Sequence, residues 1–398
     1  MNRRYLIKSG IATVALTTLS GVKVLGFKTS FIGKTLRLGI IGVGHRGEGI
    51  LRLLKDVAEI EVTALCDIME ANLKAGAKWA PRAYTSLDYR RILEQNTVDA
   101  VLIALPEHLH FQITVDAIKA GKHVYLEKTM THNMAQADQL CSIADQHPEI
   151  VIQIGHQYRY FQLYHQVLTA INEDWIGEVS QYECQYHRNA DWRRPVADPK
   201  LERQINWRMY KDLSGGLMTE LCAHQIDILN WFTNAHPVKV SAMGGIDYWR
   251  DGRETYDNIR AIFEYPAGIR ASVSSILGNS YNGYSIRVLG TKGTIIIQQG
   301  KAFVYPENTK RELGNVDGVT GATKTSWGQG EAIPLSFDSI DGLDREPTTY
   351  ALLDFARCVH EGDVPFSNVY TGRLSAKSAF MANAAAERNE VIFWNKFS

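Results

Sequence analysis

Glu220, His224 and Asp227 lie in the stretch GGLMTELCAHQIDILNW, Gly215 to Trp231, at spacings of four and three. On a helix these positions share one stripe, while Leu217, Leu221, Ile228 and Leu229 are free to face a core. An imidazole that titrates near neutrality suits abstraction of a hydroxyl proton. A carboxylate one turn earlier can orient that ring or accept a hydrogen bond from a substrate hydroxyl. Lys128, after Glu127 at the end of the run HVYLEK, adds an ammonium able to stabilise a developing alkoxide. A base and a cation of this kind suit oxidation of a secondary alcohol, provided a hydride acceptor is at hand. The same stripe would also fit a buried helix whose polar residues satisfy one another. Zinc ligation by Glu220 and His224 lacks an evident third ligand, so no metal site is expected.

A place for the hydride acceptor is legible further upstream. Leu36 to Ile41 reads as a strand, Gly42-Val43-Gly44-His45-Arg46-Gly47 follows at once, and Glu48 to Leu54 reads as a helix. Between strand and helix, G-x-G-x-x-G has a mechanism. Gly42 permits the tight turn, Gly44 lets backbone approach a pyrophosphate, and Gly47 allows close helix–strand packing. Free N–H groups at the helix start then attract the phosphates, with His45 and Arg46 beside them. Asp67 ends the next strand, Ile60 to Leu65. An acid there would take both ribose hydroxyls and repel a 2′-phosphate, which favours NAD over NADP; a helix N-cap is its plain alternative.

The alternation continues through strands Val98 to Ala104, His123 to Leu126 and Val151 to Ile154. Short β-α-β units of this kind predict a doubly wound parallel sheet. Ligands sit at the carboxyl ends of such strands, so Pro106, His108, His110, Glu127 and Lys128 are expected to face the cofactor. Beyond GHQYRY, Gly155 to Tyr160, the pattern changes to alternating strands with turns at Pro266-Ala267-Gly268 and Gly290-Thr291-Lys292-Gly293. That predicts an α+β domain built on a large open, mostly antiparallel sheet. The polar stretch Glu307 to Glu331 reads as a loop, and PTTYALLDFARCVHEG as an amphipathic helix ending at Gly362. Within this half Gln157, Tyr160, Trp192, Arg193, Trp207, Arg208, Tyr210 and Asp227 are candidates for holding a carbohydrate. Aromatic faces stack on sugar C–H surfaces and polar forks hold hydroxyls; an aromatic core is the alternative for the rings.

Composition agrees with a small-molecule binder or enzyme. The chain has 398 residues, with 45% hydrophobic and 22% charged, and its 43 basic residues balance 43 acidic ones. Nothing in that balance suggests a nucleic-acid partner. Five scattered cysteines form neither a disulfide framework nor a zinc signature. The start, MNRRYLIKSGIATVALTTLSG, joins a basic head to a short apolar run and resembles a twin-arginine export signal, a plain basic amphipathic start being the alternative. The expectation is a leader over 1–33, a dinucleotide-binding domain over 34–155 and a substrate domain over 156–398. The mature chain is then periplasmic, with no membrane span, and its open sheet favours a homo-oligomer.

The glycine turn, Glu127-Lys128, the E-x-x-x-H-x-x-D of Glu220, His224 and Asp227, and the closing LLDFARCVHEGDVPFSNVYTGR together resemble the Gfo/Idh/MocA family. These are relatives of glucose–fructose oxidoreductase and inositol dehydrogenase, and the motifs stand in the family's order. The resemblance implies a Rossmann domain, a sheet-rich substrate domain, and hydride exchange between nicotinamide and a sugar or polyol. In that scheme His224 accepts the proton and Lys128 assists. Thr129 stands where the family's E-K-P motif has proline, and Glu220 where its D-x-x-x-H motif has aspartate. Two alternatives share the scaffold: an NAD-dependent glycosidase working by oxidation, elimination and re-reduction, and a catalytically silent glycan-binding protein. Lys128, which such glycosidases tend to lack, favours the dehydrogenase.

Overall fold

The computed structural model describes residues 34–307, 313–316, 319–323, 330–337 and 344–397; the leader-like segment lies outside the described residues. Its first layer runs β1 (Leu36–Ile41), α1 (His45–Leu54), β2 (Ile60–Cys66), α2 (Glu70–Ala77), β3 (Tyr84–Ser86), α3 (Tyr89–Leu93), β4 (Ala100–Ile103), α4 (His110–Lys119), β5 (His123–Leu126), α5 (Met134–Gln146) and β6 (Ile152–Ile154). The six strands form a parallel sheet in the order β3-β2-β1-β4-β5-β6. Strands β1 and β4 are apolar throughout except Arg37, because helices cover both faces of the sheet. Strand order reverses between β1 and β4, which opens a crevice at their carboxyl ends. The short exposed β3 carries no apolar pattern and escaped the sequence reading.

The second layer holds α6 (Gln162–Asn172), β7 (Val179–Tyr186), α7 (Glu202–Ile205), α8 (Ala223–Phe232), β8 (Lys239–Gly245), β9 (Asn258–Glu264), β10 (Arg270–Ile276), β11 (Tyr284–Gly290), β12 (Gly293–Gln298) and β13 (Lys301–Pro306). A ribbon of β14 (Leu313–Val316) and β15 (Val319–Thr323) follows, then β16 (Ile333–Leu335). That ribbon corrects the expectation of a loop from Glu307 to Glu331. After α9 (Pro347–Glu361) and α10 (Val369–Arg388), β17 (Ile392–Phe393) completes a nine-stranded sheet, β16-β13-β12-β11-β7-β10-β9-β8-β17. Its pairings are antiparallel except β7 with β10. One face packs on α6, α8 and α10; the other leaves Met243 77% and Ile262 52% exposed.

The last helices cross the expected boundary at residue 155. Tyr350, Leu352 and Phe355 of α9 share a core with Leu36, Ile40 and Tyr125 of the first layer. In α10, Ala376 and Phe380 pack with Met130 and Ile154, while Met381 and Ala385 join the core under the large sheet. The last two helices thus tie the layers together. Gly362 stops α9 at a φ of 72°, as the sequence led us to expect. All five cysteines are free and buried, and among the described residues no helix is long and apolar enough to cross a membrane.

Candidate active site at the junction of the two layers

The glycine turn has the shape a dinucleotide requires. Gly42 sits at a φ of 95°, and a Cβ there would lie 2.3 Å from the Ala104 carbonyl oxygen. A Cβ on Gly47 would meet the Gly42 carbonyl oxygen at 1.9 Å, whereas one on Gly44 would meet nothing within 4 Å. Gly44 thus opens onto free space at the start of α1, where no side chain caps the helix N–H groups. A pyrophosphate fits there, and would take those N–H groups. The Asp67 carboxylate accepts from Val43 N–H at 2.9 Å and from Met69 N–H at 2.8 Å, so it braces the glycine turn and the turn before α2, which no side chain caps. Arg46 reaches across the crevice to Glu127 at 2.7 Å and to Thr348 at 3.2 Å, while His45 stays exposed.

Lys128 and Thr129 lie just beyond β5, joined by a cis peptide. Each engages the segment before α8, which opens with a π turn over Met218–Cys222. Lys128 Nζ donates to the Glu220 carbonyl at 2.8 Å, and Thr129 Oγ1 to the Thr219 carbonyl at 2.9 Å. A π turn shifts the helical register and leaves carbonyls without their usual donors. Two neighbouring side chains take them here. The hydroxyl that replaces the family's proline is thus one of the ties between the layers. The Glu220 carboxylate is held instead by Arg208, at 2.5 Å. Burial works against its charge, but Arg208 and Lys128 outweigh that and keep it below the usual carboxylate value.

His224 follows one turn later and is 8% exposed. Burial first, then the positive charges of Lys128, His156, Arg46 and Arg188, push its pKa well below the ordinary histidine value. The ring is therefore a neutral proton acceptor at neutral pH. Tyr158 meets it edge-on at 5.3 Å, and stacks with Tyr164 and tilts against Tyr284, each at 5.2 Å. Tyr186 meets Tyr284 at 5.2 Å and carries Arg188 over its ring. Tyr158 from the turn after β6, Tyr164 from α6, Tyr186 from β7 and Tyr284 from β11 thus form one aromatic cluster, which meets the imidazole through Tyr158.

Several candidates have other duties. Asp227 accepts two bonds from Arg159, at 2.7 and 2.9 Å, and one from Ser375 at 2.8 Å, all buried, so it faces protein and no substrate. The three polar residues do not serve one surface after all: Glu220 is held by Arg208 and Asp227 by Arg159 and Ser375, and α8 is buried nearly all round. Tyr160 is fully buried and accepts from Ser367 N–H, so it is a core residue; Tyr158, two positions earlier, is the ring that meets His224. His110 has both ring nitrogens on carbonyls, Thr129 at 2.7 Å and Leu105 at 2.9 Å, which makes it a brace with no nitrogen left for a cofactor. His108 approaches the Leu213 carbonyl at 3.3 Å. Arg193 is tied to Glu202 and Asp251, and Tyr210 contacts Glu202 under Arg203, so both belong to a loop clasp. Trp192 packs against the sheet core and Trp207 is buried beneath Arg208. Of the proposed sugar-binding set, Gln157 and Arg208 stay near the site. Gln157 Oε1 is buried with no hydrogen-bond partner among the described residues, and Arg208 acts through Glu220.

Glu107 escaped the sequence reading. Its carboxylate accepts from Gly215 N–H at 3.1 Å and Thr219 Oγ1 at 2.9 Å, so it clamps the turn after β4 to the segment carrying Glu220. Burial and the nearby Glu220 push its pKa up to about 8. Its neighbours in PEHLH are the only local signal, and they do not separate it from an exposed loop acid. Among the described residues no group of three or more His, Cys, Asp or Glu could hold a metal ion.

Comparison with known proteins agrees with this geometry. The family described as "Oxidoreductase family, NAD-binding Rossmann fold" matches residues 36–156, and the "GFO/IDH/MocA C-terminal domain" matches residues 164–296. An inositol 2-dehydrogenase of Salmonella typhimurium is 27% identical over 267 residues, 65% of this chain and 73% of that protein. The aldose-aldose oxidoreductase of Caulobacter crescentus superposes with a TM-score of 0.72 at 20% identity, covering 90% of this chain and all 100% of that one. Scyllo-inositol dehydrogenase of Lactobacillus casei, solved with NAD(H) and scyllo-inositol, gives 0.69 at 19% identity over 90% and 99% of the two chains. At such identities the structural matches speak for the fold alone. With both halves matched in order, the chain belongs to the Gfo/Idh/MocA family of NAD-binding oxidoreductases.

Proposed function

We propose that this oxidoreductase exchanges hydride with a secondary hydroxyl of a sugar or polyol, with His224 as proton acceptor and Lys128 as the cation beside the reacting oxygen. The observation that carries the reading is the pairing of Lys128, pinned at 2.8 Å to the Glu220 carbonyl, with a buried His224 whose proton affinity that same lysine depresses. When bound, the nicotinamide supplies a hydride acceptor, or a donor in the reverse direction. The Lys128 ammonium offsets the charge that grows on the oxygen as its proton leaves. His224, neutral at physiological pH, takes that proton. The Tyr158, Tyr186 and Tyr284 cluster offers C–H stacking to a ring substrate, which supports a pyranoside or cyclitol over a linear alcohol.

NAD is favoured over NADP on two grounds. Asp67 places a carboxylate at the end of β2, and Arg46, the loop cation that could meet a 2′-phosphate, is engaged by Glu127. The exposed Met243 and Ile262 on the open sheet face support pairing of two copies through that face. The Arg3-Arg4 start supports export of a folded, cofactor-loaded protein, for which a redox cycle closed on the bound cofactor, or 3-keto-glycoside formation with a partner acceptor, would suit a compartment without free nicotinamide. The deciding experiment is native mass spectrometry for retained dinucleotide, paired with a panel of cyclitols and methyl glycosides analysed at 340 nm and by product mass. A ketosugar supports the proposal. Release of free sugar without net NADH would replace it with the glycosidase reading, and binding with neither product with a silent glycan-binding protein.

A further inference from the structure

We propose that His156 is a positioning residue for the proton half of the reaction: a second imidazole that passes the proton of His224 toward Asp227. The inference rests on the oxidoreductase reading above and adds a residue that reading does not use. His156 follows β6 in GHQYRY and is 2% exposed. Its Nδ1 lies 3.7 Å from Asp227 Oδ1 and 3.5 Å from Ser367 Oγ. Its Nε2 is buried with no hydrogen-bond partner among the described residues, and the same is true of His224 Nδ1. Buried ring nitrogens without partners are uncommon because each forfeits its hydration. Two of them occur here, one on His156, whose ring lies 3.7 Å from Asp227, and one on His224, three residues before Asp227 on the same helix.

The arrangement explains why a second acid follows His224 three residues later. Asp227 does not reach the substrate side; it reaches His156, and Arg159 and Ser375 fix its orientation. The charged and titratable groups that act on His156 are Asp227 and His224 from α8, Arg159 from its own turn, and Glu127 and Lys128 from the end of β5. Burial keeps the resting ring neutral, and Asp227 is the group that offsets a charge placed on it.

In the oxidation direction a bound nicotinamide would supply the acceptor for the C–H electron pair, leaving as hydride, while the O–H pair becomes the second C–O bond. The hydroxyl proton goes to Nε2 of His224. His224 then releases its Nδ1 proton, through one bridging water or directly, to Nε2 of His156. The resulting imidazolium is balanced by Asp227, and reduction of a ketone runs the same transfers backwards.

One measurement needs no substrate. In full-length protein labelled with ¹⁵N-histidine, the wild-type His156 ring at neutral pH should carry its proton on Nδ1, facing Asp227, with Nε2 bare; the resonance is assigned by its loss in His156→Gln. Asp227→Asn should move that proton to Nε2. A wild-type ring protonated on Nε2, unchanged by Asp227→Asn, overturns the relay. A second measurement uses turnover of myo-inositol and methyl α-D-glucopyranoside with NAD. His156→Gln should lower kcat by about tenfold to a hundredfold, raise the solvent deuterium isotope effect and move the acid limb of the kcat profile. KM and NAD affinity should stay within about twofold. A folded His156→Gln, or His156→Phe if glutamine is not tolerated, with wild-type kcat, isotope effect and pH profile also overturns it. If wild type transfers no hydride to either probe, the substrate reading fails for those sugars, and the ¹⁵N tautomer result decides the relay by itself.

Discussion

Lys128 donates to the backbone carbonyl of Glu220, at 2.8 Å, while the carboxylate of that same glutamate is claimed by Arg208 at 2.5 Å. The Lys128 ammonium is thus fixed by main chain, whose position side-chain rotamers do not alter, and in the proposed reaction its charge is left to act on the substrate oxygen. Lys128→Met should therefore lower kcat by about 10²–10³ with little change in NAD affinity. Initial rates at 340 nm and calorimetric titration of NAD would check this; a loss confined to KM would contradict it.

The second and third glycines of the turn should respond differently to alanine. Gly44→Ala leaves the fold intact, since its Cβ meets nothing, yet intrudes on the pyrophosphate. Its thermal midpoint without cofactor should match wild type while NAD binding weakens by about tenfold or more. Gly47→Ala forces a Cβ against the Gly42 carbonyl and should lower the midpoint itself.

Arg208→Met should strand the buried Glu220 carboxylate at a cost of about 1–3 kcal/mol. Adding Glu220→Gln should restore much of that loss, because an amide needs no cation. Glu220 is held below its ordinary value, so its share of stability is present above the unfolded glutamate pKa and is lost as pH falls through the folded one. Denaturant melts of the single and double variants at neutral pH, and of wild type down to acid pH, would test both statements.

Glu107 titrates in the opposite sense. With its pKa pushed up to about 8, the folded protein keeps a proton that the unfolded chain releases near the ordinary glutamate value. Its contribution to stability therefore falls as pH rises between those two values and levels off above about 8. Glu107→Gln stays neutral and should gain on wild type across that window, seen as a thermal midpoint difference that grows from acid to alkaline pH. A constant difference would show that the carboxyl is ionised throughout.

Tyr158 and Tyr160 separate substrate contact from support. Tyr158→Ala should raise KM for a cyclic substrate several-fold, whereas Tyr160→Phe should cost about 1 kcal/mol of stability through Ser367 N–H and leave KM unchanged.

The sequence by itself determined what periodicity and turn chemistry encode locally. It gave up the parallel strands, the glycine turn with its Cβ-free approach and the open antiparallel sheet, because each depends on residues close along the chain. Only the tertiary structure decided where side chains point once distant segments pack. Arg208 claimed the Glu220 carboxylate, Arg159 and Ser375 turned Asp227 inward, two carbonyls claimed His110, and Tyr158, not Tyr160, met the His224 ring. The return of α9 and α10 across both layers was equally hidden, since an amphipathic pattern states that a face is buried and not against what. Partner identity in a folded chain is a long-range property, set by which buried polar group is left to satisfy which other.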